Sequence, residues 1–145
     1  MKHYKLLLCC VAAFASMNCS ANRSSITCPE SIEVNETYKA NDKLWLVVID
    51  KGRRGHFLES VMIYSGHPDE MASLIPDESS DNNQTEISTW NLIAAENEQF
   101  WIACAYSNTR VMLTQSLPKT YKQCQVTTAL LPTGAKLKIE SIICK

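Results

Sequence analysis

Histidine, serine, cysteine and carboxylate side chains are the groups of this chain that could catalyse a reaction or hold a metal. The sequence has three histidines, and beyond its first few residues only His56 and His67 remain. Neither belongs to a His-Glu-x-x-His motif, whose helical spacing places two imidazoles on one zinc ion. The sequence therefore predicts no metal site and no cofactor.

Ser65, His67 and Asp69 have the residue types of a hydrolase triad, but their spacing argues against one. Triad members meet through the fold around a buried, oriented histidine, whereas Pro68 predicts a turn here. We interpret His67 as a solvated turn histidine. The chain also has no Gly-x-Ser-x-Gly elbow, no phosphate-binding glycine loop and no dinucleotide fingerprint. We therefore predict that it is not an enzyme.

The first residues have the three parts of a secretory signal peptide. A basic start precedes ten consecutive apolar residues, Leu6–Ala15, which small and polar residues follow. Ten residues at about 1.5 Å each cannot cross a hydrocarbon core of about 30 Å, so no stable membrane span is expected. We predict cleavage after Ala21, with cleavage after Ala15 or a lipoprotein acylated on Cys19 as alternatives.

The count of cysteines favours cleavage after Ala21. Cleavage there removes three of the seven cysteines and leaves an even number, which suits an oxidising compartment. The cysteines that remain are Cys28, Cys104, Cys124 and Cys144. No Cys-x-x-Cys redox motif survives, so we interpret all four as disulfide-bonded rather than catalytic.

We predict the pairs Cys104–Cys124 and Cys28–Cys144. The first pair would join the most apolar segment of the chain to a segment that lies one hairpin further on. The second pair would tie the two chain ends together. Both would restrict the unfolded chain and so stabilise the fold.

Residues 22–145 are expected to form a single domain. Without Lys2 and Lys5 the formal net charge falls from −1 to −3. Phosphate binding needs a concentrated basic face, so this charge argues against nucleic acid as a partner.

The stretch Phe100–Tyr106 is seven consecutive apolar residues, a length that suits a strand buried on both faces. Residues 107–110 break the pattern, and residues 111–115 then alternate as a returning antiparallel strand would. Leu44–Ile49 is a second apolar run. Phe57–Tyr64 is a third, in which Glu59 and Ser60 predict a bulge.

Near the C-terminus, Val126–Leu131 and Ala135–Cys144 flank Pro-Thr-Gly and predict another hairpin. Short strands separated by turn signals, without a sustained helical period, are typical of an all-β domain. We predict an antiparallel two-sheet β-sandwich stapled by two disulfides.

Three further groups of residues are possible binding elements. A turn contains Lys51, Arg53 and Arg54, which we interpret mainly as solubilising charges, with an anion or an acidic partner as the alternative. Each tryptophan lies in a strand-like apolar pattern, so core packing is preferred over a sugar site. The tryptophans are Trp45, Trp90 and Trp101. The segment Asp77–Glu86 has four acidic residues, no basic one and no apolar one, and predicts a mobile loop.

A set of ordered motifs extends across nearly all of residues 22–145. The motifs are Cys28-Pro29-x-Ser31-Ile32-x-Val34, Tyr64-x-Gly66-x-Pro68-x-Glu70-x-Ala72-Ser73-Leu74-x-Pro76-Asp77, Trp90-x-Leu92, Trp101-Ile102-x-Cys104-x-Tyr106-x-x-Thr109, Leu117-Pro118 and Cys124-x-Val126. In this order they resemble a family of short exported proteobacterial proteins that is associated with type VI secretion gene clusters.

The resemblance implies a periplasmic immunity protein that binds and inhibits a cell-wall-targeting effector, one of the L,D-transpeptidase-like kind among the options. The partner would be this cognate protein toxin. The charge of the acidic segment suggests a separate hypothesis, in which Asp77, Glu78 and Asp81 enter a basic cleft of the toxin as a substrate mimic, with an ordinary surface loop as the alternative. An alternative is an exported glycan-binding module or hydrolase of the envelope, which would need a pocket lined by aromatic or carboxylate groups near Trp90 or His67. A structural envelope component is a third possibility.

Overall fold

The computed structural model describes residues 23–35, 37, 48, 55–93 and 98–145, and these form two antiparallel sheets with almost no helix. The predicted all-β fold is confirmed. The expected signal peptide, the basic turn at residues 51–54 and the predicted strand Leu44–Ile49, apart from the exposed Val48, lie outside the described residues. The described strands are β1 (Ser24–Ser25), β2 (Ser31–Ile32), β3 (His56–Ser65), β4 (Glu78–Asp81), β5 (Thr85–Asn91), β6 (Phe100–Tyr106), β7 (Met112–Ser116), β8 (Gln123–Leu130) and β9 (Lys136–Cys144).

The described strands pack as a sandwich of one five-stranded and one four-stranded sheet. The larger sheet has the order β1-β9-β8-β5-β4, and the smaller one has the order β2-β3-β6-β7. Both sheets contribute to a single apolar core. Its buried members include Ile63, Ile102, Val126 and Ile142. Burying such side chains contributes about 1.5–3 kcal/mol each, which is the main force that holds the sheets together.

The predicted central strand is β6, an inner strand of the smaller sheet. Its even-numbered residues, from Phe100 to Tyr106, face the core and are at most 8% exposed. Because side chains alternate along a strand, Trp101 lies on the outer face instead. There its ring packs edge-on against His67, with 4.7 Å between ring centroids. Core packing was the wrong prediction for Trp101, and the prediction for Trp45 lies outside the described residues.

The bulge predicted within Phe57–Tyr64 is confirmed. The register between β3 and β6 shifts between Leu58 and Ser60, so Val61 and Ile63 can both face the core. An extra residue in one strand turns the side chains after it to the other face. The bulge therefore keeps the apolar half of β3 in the core.

The N-terminal segment crosses from one sheet to the other. β1 pairs with β9 of the larger sheet, and β2 pairs with β3 of the smaller one. At the crossing, the buried Cys28 forms a disulfide with Cys104 of β6, with 5.9 Å between their Cα atoms. The Tyr106 hydroxyl donates a hydrogen bond of 3.0 Å to the Pro29 carbonyl oxygen. Two links thus fix this segment to the central strand.

The second disulfide joins β8 and β9 within one hairpin. Cys124 and Cys144 are direct partners in the register, and their Cα atoms are 4.2 Å apart. Such a short separation matches the non-hydrogen-bonded pair of an antiparallel ladder. The predicted hairpin is confirmed, and Gly134 at its turn has a φ of 81°, which glycine adopts without steric cost.

Two disulfides are therefore present among the described residues, but the predicted pairing was wrong. We expected Cys104–Cys124 and Cys28–Cys144, whereas the bonds are Cys28–Cys104 and Cys124–Cys144. Cys104 and Cys124 lie in different sheets. Direct pairing of Cys124 with Cys144 on neighbouring strands determines the pattern, and it leaves Cys28 to bond with Cys104 across the core.

A second crossing carries the chain from β3 to β4. After a 3₁₀ turn at Pro68–Glu70, Ser73 bridges to Tyr64, and the Leu74 amide donates to the Ile63 carbonyl at 2.8 Å. The Leu74 carbonyl accepts a 3.1 Å hydrogen bond from the indole of Trp90 in the other sheet. Trp90 is 5% exposed, so its predicted core position is confirmed.

We expect the two disulfides to contribute unequally to stability. The bonds close segments with sequence separations of 76 and 20 residues, for which loop-closure entropy gives about 4.5 and about 3.3 kcal/mol. Cys28→Ala/Cys104→Ala should therefore lower the free energy of unfolding more than Cys124→Ala/Cys144→Ala. Urea unfolding of both double variants measures the difference, and non-reducing peptide mapping checks the pairing. An equal or reversed loss would contradict the entropic argument.

Tyr106 predicts a loss of stability at high pH. Burial raises the pKa of its hydroxyl above the ordinary value, which is about 10. The folded state thus holds this proton more tightly than the unfolded chain does. The stabilisation is complete below about pH 10 and is lost as pH rises through the raised pKa.

The matched variant is Tyr106→Phe, which loses the hydrogen bond to Pro29 at a cost of about 1 kcal/mol. Because phenylalanine does not titrate, the stability advantage of the wild type over this variant should shrink between pH 8 and about pH 11. Urea unfolding at each pH measures the difference. A constant difference across that range would exclude Tyr106 as its source.

Candidate partner-binding surface

The acidic segment is half of a β-hairpin rather than the predicted mobile loop. Glu78–Asp81 forms β4, which pairs along its length with β5 and lies at the edge of the larger sheet as described. All four residues are exposed. The prediction of a mobile loop was wrong because it was based only on the absence of apolar residues that the segment could bury. An edge strand needs only a neighbour that satisfies its backbone hydrogen bonds.

Asn82 organises the turn between β4 and β5. Its side-chain oxygen accepts hydrogen bonds from the backbone amides of Gln84 and Thr85 at 2.9 and 2.8 Å. The backbone amide of Asn82 donates a hydrogen bond to the Thr85 carbonyl oxygen at 2.9 Å. Asparagine favours turns because its short amide side chain can bond to the backbone a few residues on. Polar composition here therefore specifies a turn.

The three carboxylates predicted to contact a partner have different surroundings. Asp77 accepts a 2.6 Å hydrogen bond from the backbone amide of Asn91, so it ties β4 to the end of β5. Glu78 and Asp81 are exposed within β4. Since side chains alternate along a strand, Glu78 faces outward, and Asp81 lies on the side of the core. Two of the three are thus available to a partner without loss of a described contact.

Large apolar side chains are exposed at one end of this hairpin. Ile75 is 87% exposed just before β4, and Ile93 is 85% exposed just after β5. The hydrogen bond between Asp77 and Asn91 places both chain segments at the same end. Isolated exposed apolar residues are ordinary, but here two of them flank an acidic edge. The hairpin therefore offers both charge and apolar area.

A cleft of about 240 Å³ opens between the two sheets beside β4. Its apolar wall includes Val61 of β3, Trp90 of β5 and Val126 of β8. The cleft lies along β3 at and just after the bulge, between the points where β2 and Ser73 pair with this strand. Within the part of the chain that the structure describes, no strand pairs with this edge of β3 between those two points, and the cleft opens there into the core.

Charged groups line the mouth of the cleft. Glu59 and Glu86 contribute carboxylates, and Lys136 contributes an ammonium group. The Lys136 Nζ atom lies 3.2 Å from Oε1 of Glu86, and both side chains reach solvent. Asp81 is the direct cross-strand partner of Glu86. Like charges opposite each other are unfavourable, so Lys136 offsets a local excess of negative charge.

This cleft is the feature that the glycan-binding alternative required, but its geometry does not suit a sugar. Small-molecule pockets usually have about 300–1,000 Å³, and this one has about 240 Å³. Trp90 is buried, and its indole N–H is engaged with Leu74, so it offers no open ring face for stacking. Sequence reasoning missed the cleft because its walls come from strands far apart in the chain.

The residues that resembled a triad are not arranged as one. His67 accepts a 3.3 Å hydrogen bond from the Asp69 amide and contacts the Asp69 carboxylate. Ser65 donates to Glu98 instead. His67 is exposed and precedes the 3₁₀ turn, so its interpretation as a solvated turn histidine is confirmed.

The described residues contain neither a candidate metal site nor a membrane-spanning helix. These residues contain no group of three or more histidine, cysteine, aspartate or glutamate side chains that could hold a metal ion. They also contain no helix long and apolar enough to cross a membrane.

Comparison with known proteins gives a family match over most of the sandwich. The family model described as "Type VI secretion system Tli immunity protein" matches residues 51–145. An Azospirillum brasilense protein described as "Uncharacterized 16.3 kDa protein in trpG 5'region" is 36% identical over 56 residues. The alignment covers 39% of this chain and 37% of that protein, so it spans well under half of the relative's length. No solved structure matches the chain.

We expect Asp77 to stabilise the hairpin, unlike the acidic residue at its other end. Asp77→Ala removes the carboxylate that accepts the Asn91 amide proton, which should cost about 1 kcal/mol. Asp81→Ala is the matched control, because an exposed substitution usually changes stability by no more than about 0.5 kcal/mol. Urea unfolding and hydrogen exchange at the Asn91 amide measure the effect. Equal protection of that amide in both variants would show that the contact has no stabilising role.

Proposed function

The chain belongs to the family of type VI secretion system Tli immunity proteins, and from this premise we propose that it protects its cell by binding a cognate effector and blocking it. The family match is the observation that carries the proposal. It covers β3 to β9, and thus both sheets and the acidic hairpin. Protection by binding requires a partner-shaped surface and no chemistry of its own.

The effector-binding surface in this proposal is the β4–β5 hairpin. Glu78 and Asp81 supply negative charge, and Ile75 and Ile93 supply exposed apolar area beside it. Such a surface suits a basic region of the effector, because complementary charge speeds association and discriminates against wrong partners. Binding over a basic active-site cleft would inhibit the effector by occlusion.

The proposed compartment is the periplasm. The basic and apolar start of the chain, followed by small residues, supports export. The two disulfides support an oxidising environment. An effector met there would attack the envelope, and the cell wall is the proposed target, with L,D-transpeptidase-like chemistry as the specific form.

Coexpression with the cognate effector tests function and compartment together. Expression of the chain with residues 1–145 should restore growth of cells that export the effector to the periplasm. A variant without residues 2–21 should fail to do so, although it accumulates in the cytoplasm. Muropeptide analysis and lipid analysis of unprotected cells then identify the damage. Damaged lipids together with an intact cell wall would show that the effector attacks lipids and not the cell wall. Protection by the variant without residues 2–21 would exclude the periplasm as the site of action.

The charge of the hairpin gives a quantitative test. Glu78→Gln/Asp81→Asn removes two charges from the proposed surface at nearly constant size. We expect association with the effector to slow by about threefold to tenfold at low salt and by less as salt rises. Stopped-flow fluorescence or surface plasmon resonance measures the rate constants.

The matched control is Glu33→Gln/Glu140→Gln. It removes the same charge from exposed positions on other parts of the surface, and Glu140 lies on β9, three strands away from β4. Equal slowing by both double variants would mean that only net charge matters. Unchanged rates in the hairpin variant would exclude the hairpin as the charged contact.

A further inference from the structure

Thr128 is a buried polar residue in the wall of the cleft between the sheets. It is 5% exposed and lines the cleft. Among the described residues no fully buried side-chain nitrogen or oxygen atom lacks a hydrogen-bond partner, and the Thr128 hydroxyl is therefore open to the cleft. The neighbouring Thr127 faces the opposite side of β8. A hydroxyl in this position can accept a hydrogen bond from a donor outside the chain.

The size of the cleft limits what can occupy it. A volume of about 240 Å³ is below the usual range for whole small-molecule ligands. It suits a single long side chain of a protein partner. Val61, Leu74 and Val126 provide apolar contacts along its length. Residues that anchor protein interfaces typically fill such pockets, and arginine is among the most frequent of them.

The charge at the mouth indicates the sign of the occupant. Two carboxylates, Glu59 and Glu86, and one cation, Lys136, line the cleft. The ion pair between Lys136 and Glu86 is half-exposed, and pairs of this kind contribute only about 0–1 kcal/mol. The bond shows that Glu86 accepts a nitrogen donor. Its weakness means that an incoming cation can replace Lys136 at little cost.

We propose that the cleft receives an arginine side chain of the effector. The aliphatic stem would pack against the apolar wall, while the guanidinium donates to Thr128 and to the carboxylates at the mouth. Arginine combines an apolar stem with five donors in a planar head, and it pairs with carboxylates in two-point contacts. This inference rests on the proposed function for its partner, but the cleft can be tested without the effector.

The probe is N-acetyl-L-arginine methylamide, and its neutral control is the corresponding citrulline compound. Titration into the isotope-labelled full chain should shift the Trp90 indole N–H and Thr128 amide signals in NMR spectra. Saturation is expected in the millimolar range, which is typical of a single side chain. The citrulline compound should bind about tenfold more weakly, because it has no charge to pair with Glu86.

Two neighbouring threonines provide matched variants. Thr128→Val removes the hydroxyl in the cleft and should weaken arginine binding by about tenfold. Thr127→Val removes a hydroxyl from the outer face and should change nothing. Urea unfolding should show that Thr128→Val is no less stable than the wild type, because the lost hydroxyl has no partner. Ser79→Trp fills the cleft from β4 and should abolish binding.

Several results would overturn the proposal. They are the absence of a saturable shift in the wild type, equal binding of the two compounds, and wild-type binding by Thr128→Val. With the effector, Thr128→Val should protect cells less well than Thr127→Val. Equal protection by these two variants would refute the cleft but leave the immunity function standing. Failure of the wild type to protect, with arginine binding intact, would instead refute the immunity function.

Discussion

The attachment of the N-terminal segment to the central strand is the constraint on which the sandwich depends. Cys28 is bonded to Cys104, and Tyr106 holds the next residue, Pro29, by its carbonyl. β1 belongs to one sheet and β2 to the other. Cys28 and Pro29 lie between these two strands, so the disulfide and the hydrogen bond hold both sheets against β6. Among the described residues, the second crossing is held to the other sheet by hydrogen bonds, such as that from Trp90 to Leu74, and not by a disulfide. The cleft opens beside this weaker crossing, where the core is less tightly closed.

Local patterns predicted most of the architecture. Seven apolar residues specify β6, two polar residues within an apolar run mark the bulge of β3, and Pro-Thr-Gly marks the β8–β9 turn. Each of these features is encoded by contiguous residues, so the sequence shows it directly. The acidic hairpin was not predicted, because the prediction used the polar composition of the segment and not the ability of asparagine to form a turn. Asn82 forms this turn by accepting hydrogen bonds from Gln84 and Thr85.

Features that depend on register could not be predicted in this way. Leu130 lies opposite Lys136 at the turn end of the hairpin. If the two strands paired without interruption from there, Cys124 would lie opposite Ile142. Two one-residue shifts along the hairpin place it opposite Cys144 instead. Neither shift has a clear signal in the sequence, and without them the disulfide pairing cannot be derived. The cleft is still less visible, since Glu59, Glu86 and Thr128 meet only after both sheets have formed.

In the proposed function, the acidic edge strand has two roles: it discourages self-association and it favours binding of the effector. An exposed strand edge is a template for pairing with another chain, including a second copy of itself. Glu78 and Asp81 make self-pairing of β4 unfavourable, because two such edges would bring four carboxylates together. The same charges favour a basic partner, and the strand is already ordered by β5 before that partner arrives. In the proposed function, one set of side chains therefore both opposes self-association and selects the effector.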